Sequence, residues 1–132
     1  MKTKTSSPKT ELLLGAGLDV LHQESLEWQD TVAFWKDETK FFSYLLHKKD
    51  SRKSNFTIML SHLDSLHKSL FDYLADDIVD HEKFLAHLVM GEKRLSDGTY
   101  REKHRRLSQQ MEIFSSDFKE FKKMVFGFAK KL

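Results

Sequence analysis

Apolar side chains recur at alternating steps of three and four residues along three long segments of the chain. The first segment carries Leu18, Leu21, Ser25, Trp28, Val32, Trp35, Thr39, Phe42 and Leu46 on this repeat. The second carries Phe56, Leu60, Leu63, His67, Leu70, Leu74, Asp77, His81, Phe84 and Leu88. The third carries Tyr100, His104, Leu107, Met111, Phe114, Phe118, Phe121, Val125, Phe128 and Leu132. A repeat of this kind is typical of helices packed along a narrow seam, and no segment shows the period of two that strands require. The sequence therefore predicts an all-α protein.

Turn and cap residues divide the chain at the same places. Asp50 and Ser51 follow a polar turn and predict the start of the second helix. Gly91 predicts the end of that helix, because glycine readily adopts the left-handed conformation that follows a helix. Thr99, with Glu102 three residues later, predicts a capping box at the start of the third.

The start of the first helix is open between two positions. It begins either at Ser7 and Pro8 or, after Gly15 and Gly17, near Asp19. If the glycines break it, a short extra helix precedes the first long one.

Short connections between long helices force neighbouring helices to run antiparallel. We therefore expect an antiparallel up-down-up bundle of three long helices, forming one domain over residues 1–132. The first ten residues are polar and basic, and we expect them to form a disordered tail.

Composition excludes several classes of protein. The chain has no cysteine, which excludes disulfides, thiolate metal sites and cysteine nucleophiles. The apolar run 12–18 is short, contains two glycines and makes a poor signal sequence, and no stretch approaches the roughly 20 apolar residues of a membrane span. We expect a cytoplasmic protein that does not enter a membrane.

Charge is distributed unevenly along the chain. The stretches 1–10, 47–53, 92–106 and 119–132 are basic, and the residues between them are acidic overall. In an up-down-up bundle this arrangement gives two basic poles and an acidic waist. A nucleic-acid-binding protein needs a continuous basic face, so we expect no nucleic acid partner.

Polar residues on the apolar seam are the candidates for a functional site. Asp77 and His81 lie four residues apart on one helical face, and antiparallel pairing of the first two helices is expected to bring His22 beside His81, with Glu24 nearby. Imidazole and carboxylate groups bind zinc, iron or manganese, so His22, Asp77 and His81 form a candidate metal site. A buried layer of hydrogen-bonded polar side chains that fixes helix register is the alternative, and it is the commoner use of such residues.

The sequence contains none of the motifs considered for other catalytic or phosphate-binding sites. The chain has no glycine-rich phosphate loop, nucleophile elbow, Glu-x-x-His pair or His-Glu-x-x-His motif. We therefore expect a protein that is not an enzyme and needs no cofactor.

The first helix carries an ordered set of residues: Leu21-His22-Gln23-Glu24, then Trp28, then Phe34-Trp35-Lys36-Asp37-Glu38 and Phe41. Together with Asp80-His81-Glu82, this set resembles a family of short, uncharacterised bacterial helical proteins, in which Leu-His-x-Glu is followed by Trp and then by Phe-Tyr-Lys-Asp-Glu. The chain departs from that pattern at Ser25, where a second histidine is common, and at Trp35, which replaces the tyrosine. The resemblance covers about residues 20–90 and implies a helical bundle with no known activity.

Apolar residues that flank the seam suggest a function in protein interaction. They are Phe34, Phe41, Met59, Leu66, Phe71 and Ile78. A partner helix or a second copy of the chain would cover such positions, so a helical interaction or self-associating module is the first hypothesis and the metal-binding bundle is the second. The seam histidines also predict pH dependence: acid destabilises the fold if His67 and His81 are buried uncharged, and stabilises it if Asp77 pairs with charged His81.

Overall fold

The computed structural model describes residues 17–48 and 54–130, which form three α-helices. Helix α1 spans Leu18–Lys48, α2 spans Asn55–Val89 and α3 spans Asp97–Lys130, with no strand in these ranges. The predicted all-α bundle of three long helices is confirmed. The predicted tail, the possible extra helix, the caps at 50 and 51, and Leu132 lie outside the described residues.

Contacts between the first two helices show that they run antiparallel. Nδ1 of His22, at the start of α1, lies 2.5 Å from Oε1 of Glu82, near the end of α2. At the other end of the bundle, the hydroxyl of Ser43 donates a hydrogen bond to the carboxylate of Asp64. The segments between these two pairs make up about two thirds of α1 and half of α2, so the two helices pack along much of their length.

Helix α3 returns alongside α1. The ring of His67 in α2 packs on Phe121 near the end of α3, which makes α2 and α3 antiparallel. Lys122 Nζ lies 3.3 Å from the carboxylate oxygens of Glu38, so α1 and α3 run parallel. The topology is therefore up-down-up, as the short connections predict.

The predicted seam of α1 is confirmed. Its buried residues are Leu21, Ser25, Trp28, Val32, Trp35, Thr39, Phe42 and Leu46. Every one of them falls on the repeat read from the sequence, because α1 packs against both of its neighbours with this one face.

The predicted seam of α2 is wrong by one residue along one of its two rows. The row through Leu60, Leu74 and His81 is buried as expected, but the second buried row is Thr57, Asp64, Phe71, Ile78 and Leu85. The sequence placed that second row one residue earlier, at Leu63, Leu70, Asp77 and Phe84. Both rows contain apolar residues, so hydrophobic period alone does not choose between them.

Aromatic packing between helices makes that choice. The ring of Trp35 in α1 lies 5.0 Å from Phe71 in α2, and Phe71 lies 5.0 Å from Phe118 in α3 in an edge-to-face arrangement. Because of this contact, the Phe71 row of α2 faces the core. It leaves Leu70 41% exposed and Asp77 on the surface. Of the six flanking residues named from the sequence, Phe71 and Ile78 are therefore buried, whereas Phe34, Phe41, Met59 and Leu66 are exposed.

Caps define the helix ends. The side chain of Ser54 accepts a hydrogen bond from the backbone N–H of Thr57 and caps α2. At the other end Gly91 has φ of 86°, its N–H bonds to the carbonyl of Leu88, and the next N–H bonds to that of His87, which together form a Schellman motif. The predicted stop at Gly91 is confirmed.

The predicted capping box of the third helix is wrong. Helix α3 begins at Asp97, because the hydroxyl of Ser96 accepts the N–H of Thr99 at 3.0 Å and caps the helix three residues earlier. Glu102 pairs with Arg105 and Arg106 within α3 instead.

Phe71 and Leu70 provide a test of the core, because the sequence predicted Leu70 on the seam and the structure buries Phe71 instead. We expect Phe71→Ala to lower the free energy of unfolding by about 3–5 kcal/mol, because it opens a cavity among Trp35 and Phe118. We expect Leu70→Ala to lower it by no more than about 1 kcal/mol, because Leu70 is partly in water. Chemical denaturation at low protein concentration measures both values, and equal losses would contradict the described rotation of α2.

Candidate functional site

A chain of three ionisable side chains, two of them buried and one partly buried, lies near the pole where α1 begins. Nε2 of His104 in α3 lies 2.7 Å from Oε1 of Glu24 in α1, and Nδ1 of His104 lies 3.1 Å from Nε2 of His81 in α2. His104 is fully buried and His81 is 3% exposed. One side chain from each helix therefore meets at a single polar layer.

The carboxylate at one end of this chain determines which ring nitrogens of His104 and His81 carry a proton. The Glu24 carboxylate only accepts hydrogen bonds, so Nε2 of His104 carries the proton and donates it. When both rings are uncharged, Nδ1 of His104 accepts a hydrogen bond from the N–H of His81 Nε2. Nδ1 of His81 is then left with a free lone pair.

Aromatic rings hold the two imidazoles in place. The ring of Trp28 stacks on His104 with centroids 4.5 Å apart, and Tyr100 stacks on His81 at 4.5 Å with an interplanar angle of 3°. The aromatic ring stacked on each imidazole restricts its rotation, so the direction of each hydrogen bond is fixed by packing as well as by its partner.

Burial keeps His81 uncharged. It lowers the pKa of His81 to about 4, and electrostatic repulsion from His104 and Lys103 acts in the same direction. Burial likewise raises the pKa of Tyr100 to about 12, with the negative charge of Glu82 adding to the effect. The layer therefore holds a neutral imidazole and a neutral phenol at physiological pH.

Several polar atoms around this layer have no hydrogen-bond partner among the described residues. They are Ser25 Oγ, His81 Nδ1, Glu82 Oε2 and the hydroxyl of Tyr100. The hydroxyl of Ser25 acts to lower the pKa of Tyr100, but no hydrogen bond of normal geometry joins the two hydroxyls. Buried polar atoms without partners are costly, and they concentrate at this pole of the bundle.

The structure does not bring the three candidate metal ligands together. His22 pairs with Glu82, Asp77 is exposed, and His81 bonds to His104. Over residues 17–48 and 54–130, no group of three histidine, aspartate or glutamate side chains is placed to hold a metal ion. The reason is the rotation of α2, which moves Asp77 off the seam and places Glu82, rather than His81, opposite His22.

Sequence reasoning placed Glu24 near His81 across the first two helices but did not connect either residue to His104 on the third. The available signal was that His81 and His104 both occupy the seam on the two helices joined by the 90–96 connection, at a similar distance from it. Glu24 lies beside the seam of α1 on the side that faces α3, a side that only the packed structure identifies.

A second buried carboxylate lies near the opposite pole. Asp64 accepts a hydrogen bond from Ser43, its Oδ1 has no partner in the described part of the chain, and burial raises its pKa. It contributes one polar contact between α1 and α2 and is not joined to the Glu24–His104–His81 chain.

Comparison of this chain with protein-family models, with curated proteins and with solved structures found no match. The family resemblance of the first helix therefore stays a prediction. Within the described ranges, none of the three helices has a stretch long and apolar enough to cross a bilayer.

The buried state of His81 predicts acid sensitivity. Between pH 6.5 and about 4 the unfolded chain binds a proton at His81 that the folded chain does not, so stability is lost as pH falls through that window, by about 3 kcal/mol in all. We expect His81→Gln, which keeps a donor toward His104 but does not titrate, to remove most of this loss. Denaturant unfolding at a series of pH values measures it.

The matched control is His62→Gln, which changes an exposed histidine on the same helix. This variant should retain the pH dependence of the original chain. An unchanged loss of stability in His81→Gln would show that another group causes it.

Proposed function

We propose that this protein is a non-enzymatic interaction module that associates with a second copy of itself through α2. The observation that supports the proposal is an apolar row on the outer face of α2, hereafter the α2 stripe, made of Met59, Leu63, Leu66, Leu70 and Tyr73. Leu63 is half-buried and the other four side chains are 41 to 71% exposed. They follow the same 3-4 spacing as the core seam.

The α2 stripe is larger than the bundle needs. Helix α2 already buries the rows of Leu60 and Phe71 against its two neighbours. A second continuous row of large apolar side chains is expected on a helix that packs against a further helix. Scattered exposed apolar residues are normal, but a row over four turns of one helix is not.

The α2 stripe matches a copy of itself. Leu66 lies at its centre, with Leu63 and Leu70 on either side and Met59 and Tyr73 at the ends. If two copies pair antiparallel about Leu66, every apolar residue faces another apolar residue. Such a two-fold contact, in which both copies use the same patch, is the commonest arrangement among homodimers.

Charge at the ends of the α2 stripe favours the same pairing. On the C-terminal side of Tyr73 the surface of α2 becomes acidic at Asp76. Antiparallel pairing places Asp76 at the level of Phe56 in the other copy. Phe56 contacts Phe128, with ring centroids 5.4 Å apart, so that level lies next to the end of α3, a segment that is basic in sequence and includes Lys123 and Lys130. In this pairing the acidic level of each copy lies opposite a level next to the basic end of α3 in the other copy, which favours this orientation.

In this proposal the Glu24–His104–His81 chain is a structural layer. Each of its hydrogen bonds joins two different helices, so a bundle with another register would leave buried polar groups without partners. The cytoplasmic location and the lack of a nucleic acid partner remain predictions from the sequence.

A charged substitution at the centre of the α2 stripe tests self-association. We expect Leu66→Lys to weaken the dimer at least about tenfold, because a lysine at the two-fold axis meets its own copy and loses the apolar contact. Sedimentation velocity over a concentration series measures the dissociation constant, with circular dichroism to confirm that the variant folds.

The control is Val79→Lys, at a site on α2 that is exposed to a similar extent and lies outside the α2 stripe. It should leave the dissociation constant unchanged. A chain that stays monomeric at every concentration, or equal effects of the two variants, would refute the proposal.

A further inference from the structure

A groove of about 440 Å³ lies between α2 and α3, next to the buried histidines. Asp77 and Asp80 form part of its α2 wall, and Lys103 and Arg106 form part of its α3 wall. Its volume is within the range typical of small-molecule sites. The groove residues are not part of the α2 stripe, so the site does not depend on self-association.

The two walls carry opposite charges that do not meet. Asp77 and Asp80 take part in none of the ion pairs within 4.0 Å in the described part of the chain. Across the groove, Lys103 Nζ lies 5.4 Å from the centroid of the Phe84 ring, and the ion pair that Arg106 makes within the described ranges is a 3.4 Å contact with Glu102 on its own helix. Two carboxylates thus face two cations across a gap that direct pairing does not close.

The inner surface of the groove adds an acceptor and apolar contacts. His81 lines the groove, is almost completely buried, and has a free lone pair at Nδ1. Phe84 and Leu107 supply apolar surface beside it. The α2 wall therefore offers only hydrogen-bond acceptors, and the cations of the α3 wall offer only donors.

We infer that this groove binds a small zwitterion with an apolar side group, of the chemical class of the apolar amino acids. The ammonium group lies on the side of Asp77, Asp80 and His81, and the carboxylate lies on the side of Lys103 and Arg106. The side group packs on Phe84 and Leu107. Such a ligand bridges the two walls, because its ammonium pairs with the carboxylates of one wall and its carboxylate pairs with the cations of the other.

A compact cation does not fit the same residues. Carboxylate and imidazole groups of the described residues do not converge in threes at metal-binding distance, and two positive side chains face the acidic wall. An extended ligand that carries both charges satisfies both walls.

NMR titration of the full chain with three probes tests the inference. The probes are L-phenylalanine, phenethylamine, which lacks the carboxylate, and 3-phenylpropanoate, which lacks the ammonium. We expect L-phenylalanine to cause saturable shifts in amides of residues 77–84 and 103–110 and in the Nδ1 resonance of His81. Each half-probe should bind at least about tenfold more weakly, because it pairs with only one wall.

Asp80→Asn and Lys103→Met should each weaken L-phenylalanine binding to the level of the corresponding half-probe. Both residues are exposed, so the fold should persist, and Asp30→Asn on α1 is the control that should change nothing. The absence of saturable shifts with L-phenylalanine would overturn the inference. Equal affinity for a half-probe, or full affinity in Asp80→Asn, would also overturn it, whether or not the chain self-associates.

Discussion

The packing of Trp35, Phe71 and Phe118 against one another governs the rest of the structure. Each of these rings comes from a different helix, and each contact removes a large apolar surface from water. Because Phe71 must point inward to reach Trp35, the contact fixes the rotation of α2 about its own axis. That rotation decides which of two apolar rows on α2 enters the core and which remains on the surface.

Two surface features follow directly from this rotation. Leu70 stays outside the core, Leu63 packs at its edge, and both become part of the α2 stripe. Asp77 moves away from the seam to the wall of the groove, where it faces the cations of α3 without contacting them. A single packing decision therefore produces both the apolar face proposed for self-association and the charged groove proposed for a small zwitterion.

The buried polar layer places a different demand on the fold. Taking Glu24, His81 and His104 out of water costs free energy, and the hydrogen bonds between helices offset that cost only when all three helices are in register. Burial keeps the His81 ring uncharged, so the layer does not have to hold a charged imidazole at that position. The same neutrality leaves a lone pair on Nδ1 of His81, and His81 also lines the groove proposed for the zwitterion, so the layer that fixes register adjoins the candidate site.

The sequence alone determined the three helices, the complete seam of α1, the stop at Gly91 and the presence of polar residues among the apolar ones. These features depend on local period, propensity and capping, which act within one segment. Tertiary structure decided which row of α2 is buried, which cap begins α3 and which ionisable groups meet. Apolar residues lie on both sides of the Leu60 row, and the balance between them is set by Trp35, a side chain on another helix. For the same reason the sequence could name Glu24, His81 and His104 but could not join them, because hydrogen bonds between helices depend on rotations that no single helix determines.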